Sequence, residues 1–210
     1  MCAKWYLGTG AQNDVVINTS IHLARNIRSF PFPGRLSLPE KLKVNGVIKG
    51  AAESMDDYYF NYFEMKTLSQ SEVVSLAERH LVSPEFASSR DGRALLMTED
   101  EAVSIMLNEE DHIRLQVMKS GFALDEAYQV ADEIDDLLGN KLEYAFDERI
   151  GYLTQCPTNL GTGMRASVML HLPALTMNGQ IHKLINTISK LGLTFRGAFG
   201  EGTKATGDMY

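Results

Sequence analysis

Two periods of apolar and polar residues alternate along the chain. Within Asp14–Ile27, Val15-Val16-Ile17 and Ile21-His22-Leu23-Ala24-Arg25 predict an extended segment that runs into a short loop. Phe30-Pro31-Phe32-Pro33-Gly34 stops it, because prolines carry no ladder amide. Leu38–Met55 predicts a helix, and the aromatic run Tyr58–Lys66 a strand. Ser69-x-x-Glu72 before the apolar-periodic Val73–Leu81 is a capping-box signature, in which the two side chains satisfy helix-start amides reciprocally. The same spacing at Thr98-x-x-Glu101 lies between strand-like segments and reads as a false match. Leu95–Met97, Ala102–Leu107 and His112–Lys119 alternate between polar turns and predict an antiparallel meander.

Leu124, Ala127, Tyr128, Ala131, Ile134, Leu137 and Leu138 recur at helical spacing, with Gly139 at the expected stop. The acids Asp125, Glu126, Asp132, Glu133, Asp135 and Asp136 read mostly as the solvated face of that helix. Val168–Leu172 predicts a strand, Gly179–Leu191 a helix and Leu193–Phe199 a strand. Strands and helices that do not strictly alternate favour an α+β fold, a largely antiparallel sheet flanked by helices, over a doubly wound one. No repeat or linker divides the chain, so residues 1–210 read as one domain.

The chain has 210 residues, 44% of them hydrophobic, which is enough for one substantial core. Its 20 basic and 27 acidic residues give a net charge of −7, so direct nucleic-acid binding is not expected on bulk charge. No stretch is apolar enough for a membrane span, and the first residues do not read as a secretory signal. Cys2 and Cys156 form no disulfide framework, which points to a reducing compartment, the cytoplasm. The five histidines show no metal-ligand spacing, and no phosphate loop of the G-x-x-x-x-G-K-(S/T) or G-x-G-x-x-G kind is present.

Three polar segments interrupt the apolar strands. Asn108-Glu109-Glu110-Asp111-His112-Ile113-Arg114 reads either as an ordinary turn or as a place where Glu110 faces a cation and Arg114 an anion. In Cys156-Pro157-Thr158-Asn159-Leu160-Gly161-Thr162-Gly163-Met164-Arg165 the glycines permit close backbone approach, and Arg165 can fork onto phosphate oxygens. Cys156 there is either an inert thiol or one with a depressed pKa. Arg196-Gly197-Ala198-Phe199-Gly200-Glu201-Gly202 again pairs an arginine with a carboxylate. Three such segments at strand ends point to one shared anionic-ligand site.

The same segments carry a family resemblance. Asn108–Arg114 resembles the Asn-Glu-Glu-Asp-His-(Leu/Ile)-Arg stretch of the ATP:guanido phosphotransferases, and Cys156-Pro-Thr-Asn-Leu-Gly-Thr162 matches that family's cysteine loop. Arg196–Gly202, with Glu78-Arg79-His80-Leu81-x-Ser83-Pro84, looks most like the bacterial protein-arginine kinase branch. The resemblance implies transfer of the ATP γ-phosphoryl group to arginine in proteins, with magnesium carried by the nucleotide. It implies that Glu110 and Glu201 grip the acceptor guanidinium and that Cys156 sits beside it. Arg114, Arg165 and Arg196 would clamp the phosphates. His80, Ala166, Ser167, Val168, Met169, Gly197 and Gly200 would complete the nucleotide site. Implied partners are arginine-containing proteins, a stress-gene repressor and Clp-type protease machinery, in a role in stress response and protein degradation.

Two departures matter. Ser20 and His22 stand where relatives carry two phosphate-binding arginines; a neutral contact in place of a charged one loses about 1–2 kcal/mol. Relatives in the bacterial branch also continue beyond the position of Tyr210, into a further strand and a C-terminal domain. An open sheet edge near Tyr210 is therefore expected, and with it self-association as a homodimer. The alternative expectation is a catalytically impaired member that acts as a nucleotide- or partner-binding regulatory module.

Overall fold

The structure, a computed structural model, describes residues 4–197 and 207–210. The strands in chain order are β1 (Val16–Arg25), β2 (Asn61–Glu64), β3 (Ala94–Met97), β4 (Val103–Leu107), β5 (Ile113–Ser120), β6 (Phe146–Asp147), β7 (Gly151–Tyr152) and β8 (Met164–Leu170). Six of them form one sheet in the order β2-β3-β4-β5-β1-β8, and β6 pairs with β7 in a separate hairpin. Every ladder is antiparallel. The predicted meander is β3-β4-β5, and β1 lies between β5 and β8. The helices are α1 (Leu38–Glu53), α2 (Gln70–Glu78), α3 (Pro84–Ser88), α4 (Leu124–Gly139), α5 (Pro173–Met177) and α6 (Ile181–Lys190). Among the described residues no helix is long and apolar enough to cross a membrane.

Side-chain alternation divides the sheet into two faces. One face presents Ile21, Leu23, Leu96, Ile105, Leu115 and Val117 to a buried cluster with Val44 and Ile48 of α1 and Ala127, Ala131, Ile134 and Leu138 of α4. The other presents Leu95, Met97, Met106 and Met118 to Val73 and Leu76 of α2 and Phe86 of α3. Among the described residues this second layer covers the β3–β5 side. Where the same face continues over β1 and β8 it turns polar, with Ser20, His22, Arg165 and Ser167.

Helix starts follow their local signals. The Ser69 amide donates to Glu72 Oε2 at 2.7 Å while the Glu72 amide donates to Ser69 Oγ at 3.3 Å, a complete capping box. At Thr98 no helix begins: Glu101 has φ +60° and its amide closes a turn onto the Thr98 carbonyl at 3.0 Å.

Four expectations are corrected. In Tyr58–Lys66 only Asn61–Glu64 is strand: β3 offers partners to these four residues alone, and Met65–Thr67 turn into a short 3-10 helix. The strand Val168–Leu172 starts earlier, at Met164, and ends at Leu170. Residues 193–196 of the strand expected over Leu193–Phe199 form none; Phe195 stacks on Tyr210 with ring centroids 4.9 Å apart. Phe199 lies outside the described residues. Asp135 is no part of the solvated face: it is buried and bonded to Arg25.

Candidate functional site

The uncovered part of the second sheet face is built from three neighbouring strands. Across them His22 of β1 stands opposite Gln116 of β5 and Arg165 of β8, and Ala24 stands opposite Arg114. Alternation then puts Ser20, His22, Arg114, Gln116, Arg165, Ser167 and Met169 on this face, and turns Ala166 and Val168 to the other. The Gln116 amide donates to the His80 carbonyl at 2.6 Å, which sets the end of α2 at the border of the open area. His80 holds φ +57° there, and burial lowers its pKa.

A small pocket of about 60 Å³ opens at one edge of this face. Its wall includes His22, Glu110, Arg114, Asn159, Gly163 and Arg165. Two of the three polar segments thus meet, as the sequence predicts. Glu110 is exposed at the tip of the β4–β5 loop. Partial burial, then the neighbouring Asp111 and Glu109, push its carboxyl pKa up, while Arg114 and Arg165 pull it back. A carboxylate with raised proton affinity is suited to accept a proton.

The loop that carries Glu110 is held from several sides. Glu109 accepts from Arg114 Nη1 at 2.6 Å and from the Ser83 hydroxyl. Asp111 Oδ1 accepts from Asn26 Nδ2 at 2.5 Å and from the Gln155 amide at 2.8 Å. His112 Nδ1 accepts from the Ile27 amide at 3.0 Å, and Nε2 lies 2.9 Å from the Pro31 carbonyl, to which it donates. Burial pushes the His112 pKa down to about 4, against the opposing Pro31 bond, so the ring is neutral and architectural.

The second loop is anchored by Arg25. Its Nη1 donates to the carbonyls of Ala24 and Thr162, both at 2.9 Å. Its Nε and Nη2 grip Asp135 of α4, the shortest contact being 2.6 Å. Its guanidinium carbon lies 3.5 Å from the Tyr152 ring centroid. Gly163 passes so close that a Cβ there would meet Arg25 Nη1 at 2.6 Å and the Ala24 carbonyl at 2.7 Å. Sequence reasoning missed this anchor. The signal was present, since Arg25 continues the buried alternation Ile21, Leu23.

Cys156 stands at the start of the same loop, half-buried, with its Sγ 3.0 Å from Thr158 Oγ1. It does not line the pocket; Asn159, three residues on, does. Arg196 and Gly197 are half-buried and also outside the pocket wall. Gly200 and Glu201 lie outside the described residues, so the third segment is placed only at its start. Among the described residues no three His, Cys, Asp or Glu side chains group as a metal site.

The family model for the ATP:guanido phosphotransferase, C-terminal catalytic domain, matches residues 43–210. A protein-arginine kinase of Halothermothrix orenii is 44% identical over 208 residues, covering 99% of this chain and 60% of that protein. One of Caldanaerobacter subterraneus is 46% identical over 200 residues, covering 94% and 59%. The chain thus spans about 60% of the length of these curated relatives. Lombricine kinase matches at TM-score 0.80 and 26% identity, over 97% of this chain and 60% of that one. The duplicated taurocyamine kinase from Schistosoma mansoni with bound transition state analog components matches at TM-score 0.84 and 24% identity, over 100% and 30%, a likeness of fold.

Proposed function

The chain belongs to the ATP:guanido phosphotransferase family, and from that premise we propose that residues 1–210 are the catalytic domain of a protein-arginine kinase. The observation that carries this reading is the pocket itself, where two carboxylates of raised proton affinity, Glu110 and Asp111, share a wall with two guanidiniums, Arg114 and Arg165; Asp111 is bound to Asn26 and Gln155, which leaves Glu110 to face a ligand. Relatives named protein-arginine kinase, alike over nearly the whole chain, support the choice of acceptor. Nothing in the relatives favours the silent regulatory module.

The chemistry follows from the charges. An arginine side chain is protonated at neutral pH and has no nucleophilic lone pair until a proton leaves. Glu110, with Glu201, holds the guanidinium and accepts that proton as the bond from nitrogen to the γ-phosphorus forms and the bond to the ADP oxygen breaks. Cys156 lies beside the acceptor. Arg114 and Arg165, with Arg196, hold the phosphates and offset the charge that develops on them. His80, Ser167, Met169, Gly197 and, by the family resemblance, Gly200 belong to the nucleotide site, and Ala166 and Val168 contribute through backbone only. Glu109 and Asp111 are committed to protein partners; magnesium carried by the nucleotide would shield the phosphate charge. The single free thiol described, Cys156, suits a cytoplasmic setting. A stress response acting through a repressor and Clp-type protease machinery belongs to the same reading.

The test is mass spectrometry for phosphoarginine on a protein substrate incubated with the chain and MgATP. Glu110→Gln should abolish the product with the fold retained, because the side chain is exposed and fills no core. Full activity of that variant, or faster turnover of free arginine than of protein, would refute the assignment.

A further inference from the structure

Within the open face one ring is held in an unusual electrical position. His22 lies half-buried in the middle of three strands. Its Nε2 is 3.3 Å from Ser20 Oγ, and its Nδ1 is buried without a hydrogen-bond partner among the described residues. From β5 it is faced by Arg114 and Gln116, and from β8 by Arg165 and Ser167. From the β4–β5 loop come Glu109, Glu110 and Asp111. Across Gln116 stands the His80 carbonyl, and from the glycine loop comes Asn159.

The acids of that set face the arginines and protein groups, and none of them bonds the ring. Glu109 is taken by Arg114 and Ser83, and Asp111 by Asn26 and Gln155. Burial, followed by Arg114 and Arg165, holds His22 neutral well below the ordinary histidine range. The same two arginines are what a polyanion would seek. A phosphate chain lying between them would reverse the sign of the field at the ring and offer Nδ1 an acceptor.

We propose that His22 is the proton-linked member of the phosphate site, neutral in the free protein and protonated when a nucleotide's polyphosphate occupies the pocket. The proposal rests on the nucleotide reading of the site. The proton comes from solvent, no covalent bond changes, and the imidazolium then donates Nε2–H to Ser20 and Nδ1–H to a phosphate oxygen. Binding and protonation are thus linked, and each strengthens the other. Where the free ring is neutral and the occupied ring charged, affinity rises as pH falls, by up to about tenfold per pH unit.

The probe is a non-hydrolysable MgATP analogue. Calorimetry at one pH in two buffers of different ionisation heat counts the protons taken up on binding. The nucleotide titrates too, so the readout is the difference between the wild type and His22→Gln, in which that contribution cancels. The wild type should take up a larger fraction of a proton, and its affinity advantage over His22→Gln should grow several-fold from pH 8 to pH 6. If the variant folds poorly, the wild-type His22 ring followed by NMR serves instead; its titration should move to higher pH on adding the analogue. Binding with equal proton uptake in both proteins, or an unmoved ring titration, overturns the proton link while leaving the nucleotide site standing. No binding of the analogue at any pH overturns both.

Discussion

Removing the carboxylate of Asp135 tests whether the glycine loop is held by a buried charge. In the wild type the Arg25 side chain is 5% exposed and that of Asp135 10%, and they share a bidentate contact. Asp135→Ala leaves the guanidinium buried with the Ala24 and Thr162 carbonyls and two aromatic rings as its partners. Breaking a buried pair from one side costs about 3–5 kcal/mol, a large share of the ~5–15 kcal/mol that stabilises a typical domain. For a chain of this length that corresponds to a melting point lower by about 6–20 °C. Arg25→Met with Asp135→Leu removes both charges and should cost less than either single change. The assay is urea unfolding followed by circular dichroism at neutral pH, with slopes compared to confirm that the same surface unfolds. Analogue binding should weaken as well, although Asp135 is not in the pocket wall, because Arg25 also holds the Thr162 carbonyl. A loss below about 1 kcal/mol for Asp135→Ala, or a double variant worse than both singles, would refute the reasoning.

Arg114→Ala should weaken analogue binding and also lower stability by about 1–3 kcal/mol, since Glu109, with its side chain 6% exposed, loses its cation; adding Glu109→Gln should restore stability in thermal melts but not affinity. Gly163→Ala should destabilise more than Gly161→Ala, because both sit at positive φ but only residue 163 meets neighbours, Ala24 and Arg25, within contact distance; equal losses would remove the close-approach argument. For His112 the folded pKa of about 4 lies below the unfolded value near 6.5, so its neutral form stabilises the fold above about pH 6.5, and that contribution is lost as pH falls toward 4. The amount is about 3 kcal/mol, and the stability gap between wild type and His112→Asn should narrow across that window; a gap independent of pH would show that the ring titrates normally.

What the sequence discloses depends on how far apart the interacting residues lie. The α2 start is legible because Ser69 and Glu72 settle it within one turn. The β3-β4-β5 meander is legible because each strand pairs with the next across a short turn. The insertion of β1 between β5 and β8 is not legible, since nothing local in Val16–Arg25 names its neighbours. That insertion alone sets His22 between Gln116 and Arg165. Asp135 shows a different failure: positions 131, 134, 135 and 138 share the buried stripe of α4, and only the habit of placing carboxylates in water hid it. Its partner lies 110 residues away. The two polar segments that meet at the pocket are marked by composition, while the residues that fasten them, Arg25, Asn26, Asp111 and Gln155, look ordinary until the chain is folded.

The alternation along β1 has an evolutionary consequence. Ile21, Leu23 and Arg25 serve the core while Ser20, His22 and Ala24 lie on the opposite face, so one ten-residue strand carries two independent texts on its two sides. A substitution at 20 or 22 rewrites the chemistry without altering a buried contact of the α4 layer. An inserted or deleted residue would exchange the two texts at once, turning Leu23 to the open face and His22 to the helix. Variation in this strand is therefore channelled into replacement rather than length change. The departures at Ser20 and His22 are of the kind such a strand can absorb, and successive replacements there can retune the open face on an unchanged scaffold.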